Sequence, residues 1–201
     1  VCAPIVNGCE FSAELGVPSV HIDNAKASPE AMQHLFELGH RTIGIVTGPL
    51  RSPLSRDRLA GARASARERG CEPDLIVMQG DFSIQSGAEA ADALLQREHP
   101  PTAIFCFNDE MAMGVIRCAR RRGLRIPEDL SVVGFDDIRF AQCLEPPLTT
   151  IAQPMRAIGE GTVRLLLEIL NGHHVTPVSV TVPHTLQVRS STAPPRRNAE
   201  C

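Results

Sequence analysis

The sequence predicts an α/β protein built on a parallel sheet with helices on its faces. Three observations carry that reading. Short apolar runs of strand length alternate with longer stretches of helical period. Each run ends abruptly in polar or glycine-rich residues. The stretch Thr102 to Gly114 shows the whole unit at once: apolar Ala103 to Phe107, polar Asn108-Asp109, then Met111, Gly114, Val115, Cys118 and Ala119 at helical spacing. Ligands of such sheets sit at the carboxyl ends of the strands. Asn108 and Asp109 therefore stand where a ligand would be, unless Asp109 only caps the next helix.

The elements follow in order. Pro4 to Gly8 reads as a first strand, and Val17 to Asn24 as a short apolar stretch ending in Asp23-Asn24. Ser28-Pro29-Glu30 suits a helix start, with a capping hydroxyl, a proline for the first turn and a carboxylate at the positive end of the dipole. Ala31, Leu35 and Leu38 form its apolar face and Gly39 stops it. Ile43 to Thr47 is a buried strand broken by Gly48-Pro49. Ser52 to Arg56 reads as a loop, followed by a helix from Arg58 to Arg69 that closes at Gly70. Leu75 to Gln79 is the next strand, with Gly80-Asp81-Phe82 at its tip and a helix over Ser86 to Arg97. After the Thr102–Gly114 unit comes a strand over Leu130 to Phe135, ending in Asp136-Asp137. From Pro146 the texture changes. Pro146 to Ile151 is extended, and a long helix over Met155 to Leu170 presents Ile158, Val163, Leu166 and Leu170 on one face. Val178 to Val182 and Leu186 to Val188 read as strands, and 194–201 as a polar, disordered tail.

Composition narrows the function. The 201 residues suffice for one large domain or two small lobes. A net charge of −3 argues against this chain binding nucleic acid by itself, because phosphate contacts need a basic surface. No run of 18 apolar residues marks a membrane span. The seven cysteines form no CxxC pair, which suits reduced core thiols in a cytosolic protein. The chain starts with Val1 directly in strand-like sequence, without a signal peptide, and reads as lacking its true N-terminal part.

The chemistry points to binding. GxSxG, HExxH, GxxxxGK[ST] and GxGxxG are all absent. The seven histidines lack metal-ligand spacing. Asp109, Asp136 and Asp137 would suit a magnesium pocket, but neither a phosphate-cradling loop nor a lysine accompanies them. The reading is thus no enzyme, no cofactor and no metal. Arg120-Arg121-Arg122 complements a helix C-terminus rather than DNA. Arg58 and Asp136 face one crevice, and a cation opposite an anion suits a polyhydroxyl ligand, which both donates and accepts. A plain ion pair is the alternative. The chain has no Trp or Tyr, so stacking in the crevice falls to Phe82 and Phe107.

Several stretches resemble the lactose/galactose-repressor family: Val20-His21-Ile22-Asp23-Asn24, Gly39-His40-Arg41-Thr42-Ile43-Gly44, Thr47-Gly48-Pro49, Arg58-Leu59-Ala60-Gly61, Phe107 to Gly114, Ile126 to Asp137 and Pro146 to Pro154. The resemblance covers about Pro4 to Thr192. It implies a periplasmic-binding-protein-like core of two lobes of parallel sheet flanked by helices. The N-terminal lobe is incomplete here, with residues 1–24 and 152–174 as its remnant and 25–151 and 175–193 as the C-terminal lobe. It implies an effector cleft held by Arg58, Asp136, Phe82 and Asn108, and the strand-tip carboxylates Asp109 and Asp23 are read as further ligand contacts beside them. It also implies a homodimer with Met113 and Leu144 at the interface, and operator DNA bound through a helix-turn-helix headpiece absent from this chain. Arg51 to Asp57 departs from the purine-responsive members. Gly8-Cys9-Glu10-Phe11, Pro53-Leu54 and Gly80-Asp81-Phe82 look closest to the cytidine-responsive ones. The implied effector is a nucleoside, or otherwise a sugar, and the implied setting is cytoplasmic. A periplasmic solute-binding protein of a transport system shares the same core and is the alternative.

Overall fold

A computed structural model describes residues 3–10, 16–173 and 179–196, and the strands fall into two sheets. The smaller sheet is three parallel strands, β1 (Asn7–Gly8), β2 (Ser19–His21) and β8 (Ser179–Thr181), with β2 in the middle. The larger has six: β3 (Ile43–Thr47), β4 (Leu75–Gln79), β5 (Ala103–Cys106), β6 (Ser131–Asp136), β7 (Thr149–Ala152) and β9 (Thr185–Gln187). Their spatial order is β4-β3-β5-β6-β7-β9, parallel except for the β7–β9 edge pair. The five helices are α1 (Asn24–Glu37), α2 (Pro53–Glu68), α3 (Ile84–Leu95), α4 (Asp109–Arg121) and α5 (Met155–Leu170). This is the expected fold class. The strand order reverses after β4, and right-handed crossovers running in opposite directions put their helices on opposite faces. Accordingly α1 packs on α2 and α3 packs on α4. Between the layers, β3, β5 and β6 are buried from end to end apart from Asp136 at the β6 tip.

Local chemistry corrects several expectations. Helix α1 starts at Asn24, not Ser28. Asp23 is its N-cap, accepting the Lys26 N–H at 3.1 Å, and Pro29 lies inside the helix. A proline there leaves the carbonyl four residues back, that of Ala25, without its helical partner. That carbonyl faces Gly61 of α2, where a Cβ would strike it. Helix α2 begins at Pro53 with Ser52 at the N-cap position, so most of the expected loop is its first turns. The Ser-Pro pair is itself a start signal. At the head of α4 the cap is Asn108, whose Oδ1 accepts the Met111 N–H at 2.9 Å.

Helix α5 covers the small sheet. It buries Ile158, Gly161 and Leu165, and leaves Val163, Leu167 and Leu170 exposed, so Val163 and Leu170 are not on the inward face. Strand β8, expected in the C-terminal lobe, pairs instead with β2. The chain therefore passes between the sheets after β2, after β7 and again between β8 and β9. The C-terminal segment is held further than expected. His40, 1% exposed, meets Thr102 Oγ1 at 2.8 Å and Ala193 O at 2.9 Å, and Arg196 pairs with Asp129 at 2.6 Å. Residues 194–196 thus belong to the fold, while 197–201 lie outside the described residues.

Candidate functional site

A cleft of about 470 Å³ opens at the carboxyl ends of β3 to β6, where the strand order reverses. That is the position at which open α/β sheets bind ligands. Its wall on the large-sheet side carries Leu54 and Arg58 from α2, Phe82 after β4, Asn108 after β5 and Asp136 to Arg139 after β6. Cys9 and Glu10, just past β1, and Gln153 and Met155, at the passage into α5, close the other side.

Arg58 is the centre of this wall. It is 3% exposed, and its guanidinium carbon lies 3.5 Å from the centre of the Phe135 ring. Nε donates to Asn24 Oδ1 at 2.8 Å and Nη1 donates to the Phe107 carbonyl. Nη2 lies 3.7 Å from Asp136 Oδ1 and donates no hydrogen bond to the described residues. Burial pulls the guanidinium down to about 10, with Asp136 opposing. Burial likewise pushes the Asp136 carboxyl up, against the Arg58 charge and the Gln153 hydrogen bond. Gln153 Nε2 donates to Asp136 Oδ1 at 2.7 Å, while Oδ2 accepts nothing from the described residues. A cation and an anion thus stand side by side, each with capacity left over.

The backbone around the cleft is strained in a localised way. Four non-glycine residues among those described have positive φ: Cys9 (66°), Phe82 (72°), Asp136 (109°) and Asp137 (56°). All four line the cleft. Left-handed non-glycine residues cluster at ligand sites because surrounding structure must hold them there. The Phe82 ring tip occupies the space a Gly48 Cβ would need, and Asn108 Nδ2 donates to the Phe82 carbonyl at 2.8 Å. Asp137 is held by Arg189 at 2.8 Å.

Of the six residues expected to bind ligand, Arg58, Asp136, Phe82 and Asn108 meet in this cleft. The other two do not line it. Asp109 is fully buried behind β6, where a Cβ on Gly134 would strike its Oδ1, and Asp23 is engaged as the α1 cap and with Lys26 at 2.9 Å. Asn108 spends its amide on the α4 cap and the Phe82 tip. Residues 138 and 139, Gln153 and Met155 were not anticipated. Gln153 lies in the Pro146–Pro154 stretch that carries the family resemblance, but nothing in that stretch marks it as a cleft residue. Among the described residues no three His, Cys, Asp or Glu side chains are grouped to hold a metal ion. No described helix is long and apolar enough to cross a membrane.

This architecture and cleft position define the periplasmic-binding-protein-like class, and the family described as "Periplasmic binding protein-like domain" matches residues 32–192. The HTH-type transcriptional repressor CytR of Escherichia coli (strain K12) is 44% identical over 190 residues, covering 94% of this chain and 56% of the repressor. The crystal structure of a LacI transcriptional regulator from a Rhodococcus species superposes with a TM-score of 0.89 at 34% identity, covering 95% of this chain and 70% of that one. A LacI family regulator from Enterococcus faecium, solved with bound ribose, does so with a TM-score of 0.85 at 31% identity, covering 91% and 68%. The chain belongs to the LacI family, in the part built on the periplasmic-binding-protein-like domain. It spans about half the length of the curated relatives it matches, 56% in the case of CytR.

Proposed function

We propose that this chain is the effector-binding and dimerisation core of a transcriptional repressor. It takes a small polyhydroxyl ligand, a nucleoside or a sugar, in the cleft around Arg58 and Asp136. The observation that carries the reading is the pairing of Arg58 Nη2 with Asp136 Oδ1 at 3.7 Å, both with unused capacity, in a cleft where four non-glycine residues are held at positive φ. A vicinal diol accepts from the first and donates to the second. Phe82, Leu54 and Met155 offer the apolar surface that a sugar face or a base needs. Operator binding belongs to a helix-turn-helix outside these 201 residues, in keeping with the net charge of −3. The setting is cytoplasmic and the protein is not an enzyme. The names of the relatives favour this over a solute-binding protein for transport.

Calorimetry of the intact protein against cytidine, adenosine, pentoses and hexoses tests the reading. At least one should bind, and Asp136→Ala should weaken it by roughly 10- to 150-fold, the loss of one charge-assisted bond of ~1.5–3 kcal/mol. A ligand held equally well by wild type and variant would place the site elsewhere.

Met113 and Leu144 are proposed to lie on the dimer interface. Both are half-buried, and Phe140, in the same segment as Leu144, is 57% exposed. Met113→Glu or Leu144→Glu should give folded monomer, because a two-fold contact repeats the buried charge in both halves. Sedimentation of an unchanged dimer in both variants would remove the assignment.

A further inference from the structure

Asp109 is fully buried and ionisable, and the site described above does not use it. It is the first residue of α4. Its Oδ1 accepts from Thr150 Oγ1 of β7 at 2.6 Å, and its Oδ2 from the Ile138 backbone N–H at 2.8 Å. With Gly134 pressed against it, one carboxyl ties α4, β6 and β7 to the segment after Asp136. Asp136 to Arg139 are four consecutive residues of the cleft wall, two of them at positive φ.

We propose that Asp109 is a positioning residue for the cleft: through the Ile138 N–H its carboxylate holds the Asp136–Arg139 tip, and ligand affinity follows the charge on that carboxylate. The inference rests on the reading of Asp136 as a ligand contact.

Ionised, the carboxyl only accepts, and each oxygen already takes one donor. A proton turns one oxygen into a donor. It then displaces the Ile138 N–H, or reverses the Thr150 hydroxyl and leaves a neutral bond where a charge-assisted one stood. The φ values of 109° and 56° at Asp136 and Asp137 are strained, and a weaker anchor lets them relax. The change falls in an accessible pH range. Burial pushes the Asp109 carboxyl up to about 7, the Thr150 and Ile138 hydrogen bonds oppose, and the Asp136 and Asp137 charges add to the rise. The other groups facing it are Arg58 on α2 and Cys106 on β5, whose thiol burial keeps protonated. Glu110, on its own helix, acts on Asp136. Affinity should therefore fall as pH drops through about 7. The contribution of Asp109 to fold stability runs the other way. A carboxyl raised above its ordinary 3.8 destabilises the fold as pH rises from that value to about 7.

The test has a ligand-free arm and a ligand arm, both on the full chain. In amide NMR, the Ile138 N–H should titrate with its midpoint near 7. Thr150→Val removes a donor that favours the carboxylate, and should move that midpoint upward. Asp109→Asn should abolish the titration and speed hydrogen exchange at residues 137–139. With cytidine and ribose as calorimetric probes, wild-type affinity should weaken about fivefold from above the midpoint to below it, the difference between a charge-assisted and a neutral bond. Thr150→Val should shift that profile together with the amide. An Ile138 amide that does not titrate, a tip whose exchange is unchanged in folded Asp109→Asn, or an affinity flat in pH while the amide titrates would each overturn the proposal. If Asp109→Asn does not fold, wild type and Thr150→Val decide. If neither probe binds but the amide and exchange behave as stated, the proposed effector class fails and the positioning role stands.

Discussion

Arg58→Ala is expected to abolish ligand binding and to lower the melting temperature together. A surface ligand contact would do only the first. The substitution removes the donor to Asn24 Oδ1, the donor to the Phe107 carbonyl and the cation over Phe135. Asn24 and Phe107 are themselves buried, so both acceptors lose their partner where water does not replace it. Asp136, already pushed up by burial, loses the charge that opposes that push. Breaking such a buried set from one side costs ~3–5 kcal/mol. In a chain of this size that lowers Tm by ~6–20 °C. Arg58→Lys keeps the charge but not the planar fork, so it should fall between wild type and alanine in both measurements. Calorimetric unfolding at the wild-type temperature in Arg58→Ala would mean that the guanidinium contributes nothing to joining α1, α2 and β5.

The sequence alone places Arg58 across a crevice from Asp136, at the start of a helix, whereas the guanidinium is buried in the fold. The difference lies in α2. The Ser52-Pro53 start moves the helix back, so that Arg58 falls in its second turn and faces inward. Strands β3 and β4 have the bounds read from sequence, because Gly48-Pro49 and Gly80 punctuate them sharply. The membership of β8 was not legible, since its partner β2 lies far away in sequence and three residues of strand carry no address. Nor was the inward face of α5. Ile158 and Leu165 lie on one side, and Val163, Leu167 and Leu170 on the other, so a helix apolar nearly all round has no single stripe to read. In the Asn108-Asp109 pair the sequence points both residues at the ligand. Asn108 is extended, with φ −156° and ψ 168°, and side chains alternate sides along extended backbone. Asn108 turns to the cleft wall and Asp109 to the interior.

Gly114→Ala is expected to be more damaging than its single methyl suggests. Helices α3 and α4 approach backbone to backbone at two glycines. A Cβ on Gly114 would strike the Ile84 carbonyl and lie 2.7 Å from Ala88 N, and one on Gly87 would strike the Met111 carbonyl and lie 2.7 Å from its carbon. Neither obstacle is a side chain that can swing aside, so the helices must separate. Overpacking of this kind costs ~3 kcal/mol or more, or ~6–12 °C in Tm. The consequence reaches the cleft, because the same approach sets the Phe82 tip ahead of α3 beside the cap of α4, where Asn108 reaches the Phe82 carbonyl. Ligand affinity should therefore fall with stability in Gly114→Ala and in Gly87→Ala. Gly159→Ala supplies the opposite case within the same fold. Gly159 is exposed on α5 with nothing within 4 Å of a built Cβ, so alanine there relieves the helical penalty of glycine and should stabilise by up to ~1 kcal/mol. Thermal unfolding of the three variants decides the matter. Equal shifts at Gly114 and Gly159 would show that the glycines act through helix propensity alone, and that the α3–α4 contact has room to spare.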